Sequence, residues 1–373
     1  MDGEPSIPLF RTPDLRGALP RLADVLASGQ LAGGETVQAF ERALGEYLGN
    51  PHVLAVSDRS AALTLALRAA GVAPGDDVLL SPLVCLATSM PLLALNARPV
   101  WCDVDPATGM PTVDTLADAL TTRTRAIVVY HWGGDIAPLV ELHAFAAAHG
   151  IALIDDAAAA LGGTHRGGAI GARDSDYTVL SFYAVNPLAL GEGGALVCRR
   201  EADLERIRWQ RRYGIHLPSF RLPGGDLNPA SDIPVGGYNF GLTSLAAALG
   251  LAQFDAFPAR IARHQANGRW FDRALADTAG VTRLSRRTDA LSGYWTYGLR
   301  AARRDAIVAA LHARGIGAQR LHLRNDRYTC FPRAPRTLPG VDCFDAENLA
   351  LPCGWWVDDA ARERIVDCVR DAA

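Results

Sequence analysis

From about residue 53 to residue 200, short apolar runs rich in β-branched residues alternate with longer stretches rich in alanine and leucine. The runs predict strands at 77–81 (DVLLS), 99–103 (PVWCD), 125–130 (RAIVVY), 151–155 (IALID), 177–182 (YTVLSF) and 195–198 (ALVC). The intervening stretches predict helices at 60–70, 86–95, 113–120 and 137–149. Such alternation is the pattern of a mostly parallel sheet covered on both faces by helices. Ligands of these sheets gather beyond the carboxyl ends of the strands. His131, Asp155, Asp156 and Tyr183 all fall at or just beyond such ends.

The pattern changes after residue 200. Residues 201–212 read as a charged helix, and 213–240 as a loop with repeated Gly and Pro, suited to crossing a neighbouring surface. Helical sequence over 242–276 leads into a smaller α+β unit containing YWTYGLR, DAIVAALHARG and a last helix at 358–371. Two domains are expected: residues 1–250, an N-terminal arm with a large domain, and residues 251–373, a small C-terminal domain.

Composition narrows the chemistry. The net charge is −3 with no basic block, which argues against a nucleic-acid or anionic-membrane surface and favours a small-molecule ligand. No apolar run is long enough for a membrane span, and the opening MDGEPSIPLFRTPDLRG lacks the uninterrupted apolar stretch of a signal peptide, so a cytoplasmic protein is expected. The 7 cysteines are scattered and never spaced C-x-x-C, so they read as reduced thiols, with neither disulfide nor metal use expected. No P-loop, H-E-x-x-H or G-x-S-x-G motif occurs. All 37 residues of the Lys+Arg count are arginine; the chain contains no lysine.

Ordered segments along nearly the whole chain carry a family likeness: SGQLAGGETVQAFERALGEYLG, SAALTLALRAAGVAPGDDVLLSP, VVYHWGGDIAPLVEL, LIDDAAAALGG, SFYAVNPLALGEGGALV, GYNFGLTSLAAALGLAQ, HLRNDRY and LPCGWW. The chain resembles the nucleotide-sugar aminotransferases of the DegT/DnrJ type. These are pyridoxal-phosphate (PLP) enzymes of fold type I, the aspartate-aminotransferase-like α/β fold with a mostly parallel large domain and a small α+β domain. The resemblance implies that Asp156 holds the position of the carboxylate facing the cofactor's ring nitrogen. It assigns Ser60 and Ser181 to the cofactor phosphate, and Asn239 to the phosphate of the partner subunit in a homodimer whose sites lie at the subunit interface.

Four positions depart from the family's pattern. Five residues after Ser181, where the family has its Schiff-base lysine, stands Asn186, an amide that can neither form the covalent link nor shuttle a proton. Cys85 replaces the aromatic residue that covers the cofactor ring, Ala159 replaces a Gln or His, and Arg59 replaces the glycine of the phosphate turn. Arg59 is either an anion-binding residue in the cleft or a surface arginine turned to solvent.

Asp156 is read as a general acid or base at the cleft floor, or else as an inherited structural carboxylate. His131 and Tyr183 join it as candidate catalytic residues, with Asn186 lining the site. His322 and Arg324 of HLRNDRY are placed by the resemblance at the cleft mouth. Three functions are weighed. The first is an enzyme that uses no cofactor and turns the vacated cleft to acid/base chemistry on a small molecule of specialised or sugar-derived metabolism. The second is a non-catalytic partner of an active aminotransferase. The third is a sugar-modifying enzyme that binds PLP or pyridoxamine phosphate (PMP) non-covalently. The first is the expectation carried forward.

Overall fold

The computed structural model describes residues 7–172 and 174–373. Residues 1–6 of the opening segment lie outside the described residues. The strands of the main sheet are β1 (Val53–Val56), β2 (Asp77–Leu80), β3 (Arg98–Trp101), β4 (Thr124–Tyr130) and β5 (Ala152–Asp156). After two short strands, β6 (Thr164–His165) and β7 (Gly168–Ala169), come β8 (Tyr177–Ser181) and β9 (Gly194–Cys198). The sheet order is β1-β9-β8-β5-β4-β2-β3. β3, β2, β4, β5 and β8 run parallel, and β9 is antiparallel to both of its neighbours.

The strands read as unbroken apolar runs because both faces of the sheet are covered. β1, β2, β5, β8 and β9 are buried along almost their whole length. The covering helices of the first half are α1 (Leu19–Ser28), α2 (Glu35–Leu48), α3 (Arg59–Ala69), α4 (Leu86–Ala94), α5 (Val113–Ala119) and α6 (Leu139–Ala148). In α3 every residue from Ala61 to Leu67 is buried, because it packs on β8, β9 and α4 at once. A helix apolar all round is a helix inside the core.

Beyond the sheet lie α7 (Glu201–Arg211), α8 (Leu217–Phe220), α9 (Ser244–Leu251) and α10 (Phe257–Ala274). The helices expected over 242–276 are α9 and α10, with Pro258 in the first turn of α10. Proline lacks the N–H that a helix interior needs and suits a helix start. The remaining elements are β10 (Val281–Arg283), β11 (Ala290–Leu291), β12 (Tyr297–Ala301), α11 (Arg304–Ala313), α12 (Pro339–Glu347), β13 (Asn348–Leu351) and α13 (Asp359–Ala372). β10, β12 and β13 form an antiparallel sheet. Its apolar residues, with those of α11 and α13, make a second core cluster that also takes in Ile7. Ile7 exchanges backbone hydrogen bonds with Gly315 and Gly317, tying the N-terminal arm to this part of the chain. No helix among the described residues is long and apolar enough to cross a membrane.

Candidate active site

A cavity of about 550 Å³ opens where the carboxyl ends of β4, β5 and β8 meet the N-terminus of α3. That place follows from the topology, since parallel strands deliver their following loops to one edge of the sheet. Its walls include Arg59, Ser60, Cys85, Tyr130, Ala159, Ser181, Tyr183, Asn186, Trp295 and His322.

The α3 end is built tightly. Asp58 caps the helix, its carboxylate accepting from the Ala61 N–H at 2.9 Å and from the Ser57 hydroxyl at 2.9 Å. β9 closes against this turn at Gly194, where an added Cβ would lie 2.6 Å from the Asp58 carbonyl oxygen. Only glycine permits that approach.

Asp156 ends β5 and is fully buried. Its Oδ2 accepts from the Thr88 hydroxyl at 2.6 Å and its Oδ1 from the Ala158 N–H at 3.3 Å. Arg59 reaches across the cavity and brings Nη1 to 3.7 Å from Asp156 Oδ2, with 11% of its side chain exposed. Burial works against the Arg59 charge, but Asp156, Cys85 and Tyr130 facing it hold the guanidinium above its usual range. Of the two readings of Arg59, the geometry selects the cleft residue.

Asn186 is buried beside Ser181, and its Nδ2 donates to the Ser181 carbonyl at 2.7 Å. Tyr183 is half exposed at the mouth. On the opposite wall the Tyr130 hydroxyl lies 3.0 Å from His322 Nε2. Burial, joined by the nearby Arg59 charge, pushes His322 down to about 3, so its imidazole is neutral near neutral pH. Burial also raises the Tyr130 phenol, so it keeps its proton for this contact.

Four candidates do not line the cavity: Asp156, buried behind Arg59, and His131, Arg324 and Asn239. His131 is fully buried, with Nδ1 accepting from the Ala137 N–H at 3.0 Å. Its Nε2 approaches Asp155 Oδ1 to 2.5 Å without hydrogen-bond alignment. It braces the loop after β4 and does not line the cavity. Arg324 is held by Asp326, Oδ2 to Nη2 at 2.6 Å, and by Asp342. Those carboxylates hold it outside the cavity lining. Asn239 is exposed and accepts from Arg212 Nη1 at 2.6 Å. It lines a separate groove of about 1280 Å³ together with Gln38, Trp209, Arg212 and Thr243.

Among the wall residues that sequence reasoning missed are Tyr130, Trp295 and Glu192. Tyr130 is the last residue of an apolar run, where an aromatic reads as core. Trp295 arrives from the far side of the chain, stacked on Phe10 with ring centroids 4.4 Å apart. Its entry into the cavity has no local sequence signal.

Known structures share this architecture. The sugar aminotransferase CalS13 of Micromonospora echinospora is 34% identical, matches 98% of this chain and 100% of its own, and superposes with a TM-score of 0.92. DesV of S. venezuelae, solved in complex with a ketimine intermediate, is 27% identical over 98% of each chain with a TM-score of 0.87. The Streptococcus pneumoniae protein Spr1654, solved in PMP and PLP forms, is 22% identical, covers 99% of this chain and 98% of its own, and has a TM-score of 0.88. These findings overturn the expectation that no cofactor is used: the cleft belongs to a group of aminotransferases whose members carry PLP or PMP. From residue 16 to residue 370 the sequence matches the DegT/DnrJ/EryC1/StrS aminotransferase family, and to that family this chain belongs.

Proposed function

We propose that this chain acts on a nucleotide-linked sugar and holds a vitamin B6 phosphate, PMP or PLP, without a covalent bond. The observation that carries the reading is the retention of Ser60 and Ser181 on the wall of an open cavity, with Asp156 buried directly behind Arg59 and Asn186 at the family's lysine position. The cavity volume lies within the range of about 300–1,000 Å³ usual for small-molecule sites.

The residues fit such a group as a non-covalent ligand. Asp156 uses one acceptor site on each oxygen, and a carboxylate has about four, so it retains capacity for a ring N–H. At the other end, the Ser60 and Ser181 hydroxyls and the first amides of α3 suit a phosphate, because helix-opening N–H groups have no intrahelical partner. Asn186 supplies no amine, and its amide nitrogen is engaged by Ser181. When bound, the group supplies an electron sink for chemistry at a carbon bearing nitrogen or oxygen.

The chain's own residues would divide the remaining tasks. Asp156 holds the ring end, and Asn186 fixes the Ser181 backbone beside the phosphate end. Tyr130 and the neutral His322 form a proton-bearing pair on the opposite wall, hydroxyl to Nε2 at 3.0 Å. Tyr183 stands at the mouth, where a sugar would enter.

A homodimer is part of the same reading. Asn239 finds no use in its own chain's cavity, and the segment around it exposes Tyr213, Leu217, Leu227 and Ile233. A second copy laid over that surface would give both a function.

The test is a spectroscopic titration of the purified protein with PMP and with PLP, followed by borohydride reduction and intact-mass measurement. The expected result is saturable binding of at least PMP, with no mass gain after PLP and borohydride. Incubation of the loaded protein with a keto sugar nucleotide should then yield a modified sugar by mass spectrometry. Failure of both B6 phosphates to saturate would overturn the proposal.

A further inference from the structure

Tyr294 holds a backbone conformation that a bulky side chain rarely adopts, with φ at +46°. Such strain persists only where the surroundings over-determine it. The Tyr294 N–H donates to the Ser292 hydroxyl at 3.0 Å, and its phenol donates to Asp272 Oδ2 at 3.0 Å. Its carbonyl oxygen lies 2.7 Å from His264 Nδ1, and a Cβ added at Gly268 would come within 2.3 Å of its ring. On either side, the Gly293 N–H donates to the Gly134 carbonyl at 3.0 Å and the Thr296 N–H to the Gly133 carbonyl at 3.1 Å. The residue presented by this clamp is Trp295. It is half-buried, lines the cavity, and donates its indole N–H at 3.4 Å to the carbonyl of Val185, the neighbour of Asn186. A Cβ at Gly134 would lie 2.8 Å from both the Trp295 nitrogen and the Ala159 carbonyl oxygen, so the Trp295 backbone sits beside another wall residue. Phe10 stacks on the indole with ring centroids 4.4 Å apart and does not itself line the cavity, so the ring is backed from outside.

We infer that Trp295 determines specificity as the platform against which the sugar ring of the substrate lies, an inference that rests on the proposed function for the class of substrate. The indole stands between Ala159 and the segment carrying Asn186, beside the place where the chemistry would occur. The part of a nucleotide-linked sugar that must come there is the sugar and not the base. The face of an aromatic ring carries negative charge density. The C–H bonds on one side of a pyranose, polarised by their attached oxygens, present positive hydrogen to such a face. An indole free to change rotamer would lose that freedom on stacking, whereas one fixed by Phe10 and by the Tyr294 clamp is already in place. The strained turn thus has a purpose: it holds a rigid aromatic surface from the far part of the chain at the cavity wall.

The test compares wild type, Trp295→Leu and Trp295→Phe by calorimetric dissociation constants for thymidine diphosphate (TDP) glucose against TDP, uridine diphosphate (UDP) glucose against UDP, and PMP. Two bases are used because the platform should read the sugar whichever base carries it. Wild type should bind each sugar nucleotide more tightly than its bare nucleotide. Trp295→Leu should lose about three- to tenfold in binding of the sugar nucleotides and little in binding of the nucleotides or PMP. Trp295→Phe, which keeps an aromatic face, should keep most of the sugar preference. Equal losses for every ligand in both variants would mean that Trp295 only supports the cavity, and would overturn the inference. So would a Trp295→Leu protein with the wild-type preference, or a wild type that binds PMP yet treats sugar nucleotide and nucleotide alike; saturation by PMP in these cases would leave the B6 reading standing. A sugar preference that Trp295→Leu abolishes, in a protein that neither PMP nor PLP saturates, would support the platform and sink the functional proposal. A wild type with neither sugar preference nor PMP binding would refute the two together.

Discussion

Asn186 is the residue on which the chemistry turns. It sits five residues after Ser181 at the cavity wall, tethered to the Ser181 carbonyl. Asn186→Lys would place an amine there, with burial and the Arg59 charge lowering its pKa and favouring the nucleophilic neutral form. Expected is a variant that gains a PLP adduct fixed by borohydride and visible by intact mass, whereas wild type gains none; an unmodified variant would mean that this position does not face bound PLP. His322 supplies a pH-dependent prediction. Its folded value of about 3 lies below the ordinary 6.5, so the unfolded chain binds the proton more readily. The stability penalty is absent above about pH 6.5 and grows as pH falls from there towards about 3. His264, pushed down to about 4 by burial, acts in the same direction. The His322 ring signals in NMR should therefore stay unchanged from about pH 8 to about pH 5, and His322→Asn should reduce the slope of stability against pH over the acid range. That Ser181 and Asn186 lie together on one wall follows from their five-residue spacing in one motif. The pairing of Arg59 with Asp156 was not legible in sequence, since the two lie on different elements and meet only across the cavity.

The end of α3 is held by β9, and that contact belongs to the elements as a pair. Gly194 lets β9 pass so close that a Cβ would meet the backbone of both Asp58 and Arg59. Neither is a flexible side chain that could step aside, so Gly194→Ala should destabilise the fold by about 1–3 kcal/mol. Urea denaturation would read the loss, and PMP binding should weaken with it, because the same shift moves Ser60. An unchanged midpoint would show that the turn relaxes freely. Elements of the main sheet were readable from pattern where strand and helix periods are long and pure: DVLLS, RAIVVY and IALID became β2, β4 and β5 within a residue or two. β1, four residues at the sheet edge, was not singled out. The helices over 242–276 were readable as a group, and Pro258, in the first turn of α10, marks where the second begins.

At the scale of the whole molecule, the segment from Tyr213 to Ile233 is the part that one chain does not explain. Leu217 is 66% exposed and Leu227 60% exposed, with Tyr213, Leu222 and Ile233 also turned outward. Scattered single hydrophobes on a surface are ordinary, but a run of them on one loop beside a groove of about 1280 Å³ is the signature of a covered surface. The sequence could mark this loop as an excursion through its Gly and Pro content, yet it could not show that Asn239 faces the groove and not the cavity. Leu19 and Leu26 of α1 are likewise exposed, at 62% and 61%. A stable dimer buries about 1,600 Å² in total and draws its affinity from a few central apolar anchors. Light scattering after size exclusion should therefore give twice the chain mass, and the pair Leu217→Asp with Leu227→Asp should shift it to the single-chain mass. Because Asn239 would serve the other copy's phosphate end, the same double variant should weaken PMP binding while leaving the far-ultraviolet circular dichroism unchanged. A monomer that binds PMP as tightly as wild type would separate the cavity from the groove and remove the dimer from the functional reading.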